Sequence, residues 1–167
     1  PGGAAVTGAT EEYNGSSWST GGSMNTSRAY LNGVGEQNSA LAINGCIQPN
    51  GTTVTCVEQY NGSTWSAVDP IFYSSQYLGG SAGNNDSSAI MAGGYSTANS
   101  ATVNTSLEWN GNTWSVGNVM PICQADQGDA GNINSAHFFG GMVGSSRRSF
   151  KSVEYTKCFL LLVCRLI

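Results

Sequence analysis

The chain has 167 residues, 10% of them charged and 23 of them glycine, with a formal net charge of -4. Low charge with 10% aromatic residues excludes a disordered chain, which carries few aromatics and high net charge. Six basic residues without a stripe speak against nucleic-acid binding, which rests on Lys and Arg neutralising phosphates; the cluster of Arg147, Arg148 and Lys151 reads as a solvated loop.

Taken in chain order, the pattern of apolar runs and turn residues predicts strands throughout. Residues 4–20 supply two strands, and residues 22–28 (GSMNTSR) a connection. Four strands are then expected at 29–35, 39–44, 53–60 and 63–67. After the connection 69–76, the next four are expected at 77–84, 87–92, 101–109 and 112–116. Asn85 and Asp86 form the first turn of this unit. Asn110-Gly111 is expected to form a type I′ turn, whose two central positions both need positive φ. A last set follows the connection 118–124, at 128–134, 135–139 and 151–155. Met24, Ile71 and Met120 recur at one place in the three connections and are expected to plug the space between units.

Four copies of one motif impose this order: EEYNGSSWS from Glu11, VEQYNGSTWS from Val57, SLEWNGNTWS from Ser106 and a broken SVEY from Ser152. Tyr13, Tyr60, Trp109 and Tyr155 recur at intervals of 47, 49 and 46 residues, and Trp18, Trp65 and Trp114 keep the first two intervals. Such a period, with a Gly doublet and two aromatics per unit, predicts stacked β-meanders of the propeller type. The expected fold is therefore all-β, with about 3.5 blades of four-stranded antiparallel meanders: a fragment of a ring, or a ring completed between chains. Residues 1–20 form a half blade, 21–67 and 68–116 whole blades, 117–155 an incomplete blade, and 156–167 an atypical apolar tail. In that tail the run 159–163 is far shorter than the roughly 18 residues of a membrane span. It is expected to serve as the missing last strand or as a cover. The opening PGGAAVTGAT shows no basic and apolar leader, and because Pro1 enters the repeat partway, a natural start upstream is expected.

The units resemble the kelch repeat. That resemblance rests on MNTSR at 24–28, ALAING at 40–45 and VEQY at 57–60 with Trp65; on AIMAGG at 89–94 with SLEW and Trp114; and on HFFGG at 137–141 with VEY. It implies a β-propeller whose structural positions include Gly45, Gly93, Gly94, Gly140 and Gly141 beside the recurrent aromatics. The doublet departs to Asn44-Gly45 in one unit, and the linker arginine appears only as Arg28. The Asn- and Ser-rich YNGSSW variant further resembles repeats in marine bacterial and phage proteins.

Candidates for chemistry are few. His137 is the one histidine and reads as a packed strand residue, since a copper site of the kind implied by kelch-type oxidases needs several converging ligands. Glu12, Glu108 and Glu154 recur with Gln59 in their series. They are expected to cap backbone groups of a neighbouring strand rather than to ring a cation, because an amide replaces a hydrogen bond but not a charge. Among five cysteines, Cys46 and Cys56 flank a loop, and both a cross-strand disulfide and two separate thiols remain open. Sequons at Asn14, Asn25, Asn50, Asn61, Asn85 and Asn104 follow from turn composition or mark glycan sites. No cofactor and no catalytic set is expected. The expected role is a non-enzymatic structural or protein-binding propeller in a phage or virus appendage or a bacterial surface protein. The partners expected are other protein subunits. The alternative is a lectin assembled from several chains, in which inter-blade tryptophans stack on surface glycans; a fragment of a kelch-type oxidase comes third.

Overall fold

A computed structural model describes residues 6–47, 51–73, 76–77, 79–96, 98, 100–144, 147–148 and 152–156. These are all-β. The strands are β1 (Glu11–Tyr13), β2 (Trp18–Thr20), β3 (Asn32–Glu36), β4 (Ser39–Ile43), β5 (Cys46–Ile47), β6 (Thr52–Thr53), β7 (Val57–Tyr60), β8 (Trp65–Val68), β9 (Gln76–Tyr77) and β10 (Gly80–Asn85). They continue as β11 (Ser88–Ala92), β12 (Tyr95–Ser96), β13 (Ala101–Thr102), β14 (Ser106–Trp109), β15 (Trp114–Val116), β16 (Gly128–Asn132), β17 (Ser135–Phe139), β18 (Met142–Val143), β19 (Arg147–Arg148) and β20 (Ser152–Thr156).

Two complete antiparallel meanders, β3-β4-β7-β8 and β10-β11-β14-β15, are flanked by the hairpin β1-β2 and by β16-β17-β20. The inner strand β10 packs between β3 and β16, so the sheets stack side by side as blades, and the described residues do not close a ring. The apolar cores lie between blades rather than within them. Leu41, Ile43 and Val57 of one blade meet Met91, Leu107 and Trp109 of the next, and Ile90 and Ala92 meet Ala136 and Phe138 beyond. Each blade thus depends on a neighbour to remove its apolar face from water.

The connections are held in a repeated way. The N–H groups of Met24, Ile71 and Met120 donate to the carbonyls of Gly8, Thr55 and Asn104. Ile71 and Met120 are buried, as expected of plugs, while Met24 is only half-buried. This contact also explains a departure from expectation. The third strands do not run unbroken over 53–60 and 101–109; each splits into β6 and β7, or β13 and β14, because the segment between them turns its carbonyls toward the connection.

At the doublets the chain needs the left-handed backbone region. Gly93 and Gly94 have φ of 70° and 114°, Gly140 and Gly141 74° and 89°, and Asn44 and Gly45 51° and 110°. Asn is among the few side chains that tolerate this region, which accounts for the Asn44 substitution. The second position must also be small: a Cβ on Gly141 would lie 2.3 Å from the Ala125 carbonyl oxygen, and one on Gly45 2.8 Å from that of Ala29.

The Asn-Gly hairpins differ from the expected type I′ turn. Gly15, Gly62 and Gly111 have positive φ, but Asn14, Asn61 and Asn110 do not. Instead each Asn Oδ1 accepts two N–H groups across a four-residue loop, those of Asn112 and Thr113 at 3.0 and 2.9 Å in the case of Asn110. The Asn side chain thereby closes an Asx-type loop. The side-chain amides of Asn25 and Asn104 likewise donate to the Trp65 and Met120 carbonyls. Asn50 and the tail 157–167, with Cys158 and Cys164, lie outside the described residues.

Candidate functional site at the open face of the first hairpin

In each hairpin the recurrent aromatics face each other across the turn. Ring centroids are 5.1 Å apart for Tyr13 and Trp18, 4.8 Å for Tyr60 and Trp65, and 5.3 Å for Trp109 and Trp114. The pairs are equivalent in sequence but not in surroundings. Trp114 is 4% exposed and its indole N–H donates to the Asp69 carbonyl of the preceding connection at 3.1 Å. Trp65 is half-buried, and its shielded indole nitrogen has no partner among the described residues. Trp18 is 68% exposed and Tyr13 48%. Burial of one motif therefore rises with the blades that precede it, and the first copy presents a bare aromatic shelf.

Polar residues of the repeat bridge neighbouring blades. Tyr60 donates its hydroxyl to Glu12 Oε1, and Gln37 donates to Glu12 Oε2 at 3.0 Å. These bonds hold the Glu12 carboxyl below the usual carboxylate range, while the bond to Glu12 pushes the Tyr60 phenol up. One blade further on the roles are exchanged: Gln59 donates to Asp86 Oδ2 at 2.6 Å, and Ser39 to Asp86 Oδ1 at 2.7 Å. Burial works to raise the Asp86 pKa, but the bonds from Ser39, Gln59, Ser87 and its own backbone outweigh it, leaving it lowered. In the third gap the turn position is Ile133, which with Glu108 lines a cavity of about 480 Å³. Glu12 and Gln59 of the recurrent series thus meet side chains of the next blade, a correction at these two positions to the expected capping of backbone groups. The backbone cap is Glu58, one residue earlier, which sequence reasoning passed over. It accepts the N–H groups of Asn25 and Thr26 at 2.7 and 3.1 Å and pairs with Arg28 at 2.6 Å, both side chains being buried.

Two cavities lie between the first hairpin and the blades that follow, and the smaller includes Tyr13 of the shelf. A cleft of about 310 Å³ is lined by Glu11, Glu12, Tyr13, Gln37, Tyr60 and Trp65. A larger one of about 620 Å³ is lined by Val34, Ser81 and Asp129 of the inner strands together with Thr10, Met24 and Trp65. Both are of the size of small-ligand sites, about 300–1,000 Å³. Partial burial raises the Asp129 pKa against the opposing bond from the Ser81 amide.

The other sequence candidates lie elsewhere. Cys46 and Cys56 are not joined by a disulfide: the loop they flank is closed by β5 and β6, where Cys46 pairs with Thr53, and the Cys56 sulfur accepts from Arg28 Nη1 at 3.1 Å. His137 packs 6.1 Å from Phe139. Trp109 is fully buried and donates to the Asp86 carbonyl at 2.8 Å, fixing the turn that reaches the preceding blade. Arg147 and Arg148 belong to β19 rather than to a loop. Tyr155 lies in β20, paired with Ala136. Among the described residues no group of three His, Cys, Asp or Glu side chains is placed to hold a metal ion, and no helix is long and apolar enough to cross a membrane.

No known family profile matches the chain, and no curated protein matches it. Among solved structures, one titled "Structure of YjhT" is similar, with a TM-score of 0.70 at 20% sequence identity, over 83% of this chain and 46% of that one. The chain spans about half the length of that structure, and at this identity the likeness is one of fold: stacked four-stranded antiparallel meanders.

Proposed function

We propose that this chain is a non-enzymatic, kelch-like propeller module that works by joining blade faces to other protein subunits, as a structural part of a phage or virus appendage or of a bacterial surface protein. The observation that carries this reading is the use of the repeat's own polar and aromatic groups. Glu12, Gln37, Tyr60, Gln59, Asp86 and Trp114 are spent on contacts between blades, and the first copy of the motif, Tyr13 with Trp18, presents the same kind of aromatic pair exposed. Exposed apolar patches rimmed by polar groups are characteristic of protein interaction sites.

A second reading is supported by the small cleft beside the shelf. Aromatic faces with carboxylate and amide acceptors, as Tyr13, Glu11, Glu12 and Gln37 provide, suit a sugar ring held by stacking and hydrogen bonds. Iodide quenching of tryptophan fluorescence separates the two, with the Trp18→Phe variant identifying the accessible signal. Across a panel of mono- and oligosaccharides at millimolar concentration, the protein-binding module leaves Trp18 quenching unchanged. Protection of Trp18 by any sugar replaces it with the lectin reading.

A further inference from the structure

We infer that the Asn-Gly hairpins at Asn61 and Asn110 are self-modifying sites, where the glycine nitrogen displaces the asparagine side-chain amide through a cyclic imide and leaves aspartate or isoaspartate. Both hairpins belong to complete four-stranded meanders. Asn110 Oδ1 accepts the N–H groups of Asn112 and Thr113 at 3.0 and 2.9 Å, and Asn61 Oδ1 those of Ser63 and Thr64 at the same two distances. Two backbone N–H groups converging on one carbonyl oxygen stabilise the oxyanion that forms when the carbonyl carbon is attacked. The nucleophile is tethered beside it, since the nitrogen of the next residue closes a five-membered ring on Cγ. In both hairpins that residue is glycine, with no Cβ to shield the nitrogen.

The departing group is held as well. Asn110 Nδ2 lies 3.3 Å from Thr113 Oγ1, a hydroxyl that accepts from the amide at rest and can hand its own proton to the nitrogen as it leaves. In the first step the bond from the Gly111 nitrogen to Cγ forms as that nitrogen gives its proton to solvent. The Cγ–Nδ2 bond breaks, ammonia departs with the Thr113 proton, and the hydroxyl regains a proton from solvent. In the second step water opens the imide. Cleavage at Cγ gives aspartate, and cleavage at the main-chain carbonyl carbon of Asn110 gives isoaspartate; water is the one co-reactant.

Two other asparagines separate the requirements. Asn132 Oδ1 accepts the N–H groups of Asn134 and Ser135 at 2.9 and 3.1 Å, the same cradle, but the branched side chain of Ile133 stands beside the next nitrogen. Asn44 precedes Gly45 but is fully buried, its amide donating to Met91 Sδ at 3.5 Å, away from the solvent that both steps use. Asn61 and Asn110 combine cradle, glycine and exposure. Isoaspartate sends the main chain through Cβ and Cγ, which lengthens a loop that brings the Trp109 and Trp114 rings within 5.3 Å. The bond from Trp114 to the Asp69 carbonyl of the preceding connection then loosens, so the hairpin is an age-dependent weak point between blades.

The test follows the purified chain over days at mildly alkaline pH, by peptide mapping and an isoaspartate-specific methyltransferase, in parallel with the same chain unfolded in urea. Conversion at Asn61 and Asn110 is expected to be roughly tenfold faster in the folded chain than in urea, with Asn132 unconverted in both and Asn44 converting only on unfolding. Thr113→Val is expected to slow Asn110 several-fold without changing the rate at Asn61, and Thr113→Ser to restore it. Melting curves establish that each variant is folded. Conversion at Asn110 that is no faster in the folded chain than in urea would mean that the cradle holds the amide in place rather than activating it, and overturns the inference. A folded Thr113→Val variant as fast as the parent overturns the assigned role of the hydroxyl.

Discussion

Arg28 and Glu58 form a buried ion pair, whereas in the blades that follow Leu107 stands at the Glu58 position and Gln124 at the Arg28 position. Gln124 is fully buried with neither amide atom hydrogen-bonded among the described residues, so the arginine's place is filled there without its chemistry. Removing one partner of a buried pair leaves the other charge uncompensated. Glu58→Leu is therefore expected to cost about 3–5 kcal/mol in urea unfolding, and Arg28→Met added to it to recover part of that loss, because two apolar groups need no counter-charge. Strict additivity of the two substitutions would refute the coupling. The inter-blade bonds respond to pH with opposite signs. Asp86 has a lowered pKa, so its contribution is complete above its ordinary value of 3.8 and is lost as pH falls through the lower folded value. Tyr60 has a raised pKa, so its contribution is complete below 10.0 and is lost as pH rises through the higher folded value. Melting temperature is expected to fall at both ends of the range, less steeply at the acid end in Asp86→Asn and at the alkaline end in Tyr60→Phe. Unchanged slopes in these variants would show that other groups govern the limits.

At the scale of the hairpin and the doublet, two glycines separate backbone strain from crowding. Gly15 and Gly141 have φ of 95° and 89°, yet a Cβ on Gly15 meets nothing within 4 Å, whereas one on Gly141 would lie 2.3 Å from the Ala125 oxygen. Gly15→Ala is expected to cost about 1–2 kcal/mol, the strain alone, and Gly141→Ala clearly more; equal costs in denaturant unfolding would mean that the connection simply moves aside. The sequence made the blades legible for a physical reason: each copy of the motif must fold the same hairpin, so the spacing of Tyr13, Tyr60 and Trp109 carries the architecture directly. It did not reveal that β6 and β7, or β13 and β14, are separate strands, because the break comes from the connection bonding to Thr55 and Asn104, residues far along the chain. Nor did Asn-Gly disclose its loop, since the pair serves a two-residue turn and an Asx-closed four-residue loop equally well. In the candidate site the aromatics were legible by period. The partners of Glu12 and Gln59 were not, because Gln37 and Asp86 belong to the next blade and vary from unit to unit.

Over the whole molecule, protection from solvent is set by how many neighbours a blade has. The blade β10-β11-β14-β15 is covered on both sides and contributes Ile90, Met91, Leu107 and Trp109, all fully buried, to the two cores. Trp109→Ala is accordingly expected to cost about 3–5 kcal/mol. The first hairpin contributes an exposed pair of rings, and among the described residues β1 pairs only with β2. Since repeat arrays are stabilised by interfaces between neighbours, local opening is expected to begin at β1 and β2 and to reach β11 and β14 last. Amide hydrogen exchange reads this order directly, with residues 11–20 exchanging first and residues 89–92 and 106–109 slowest.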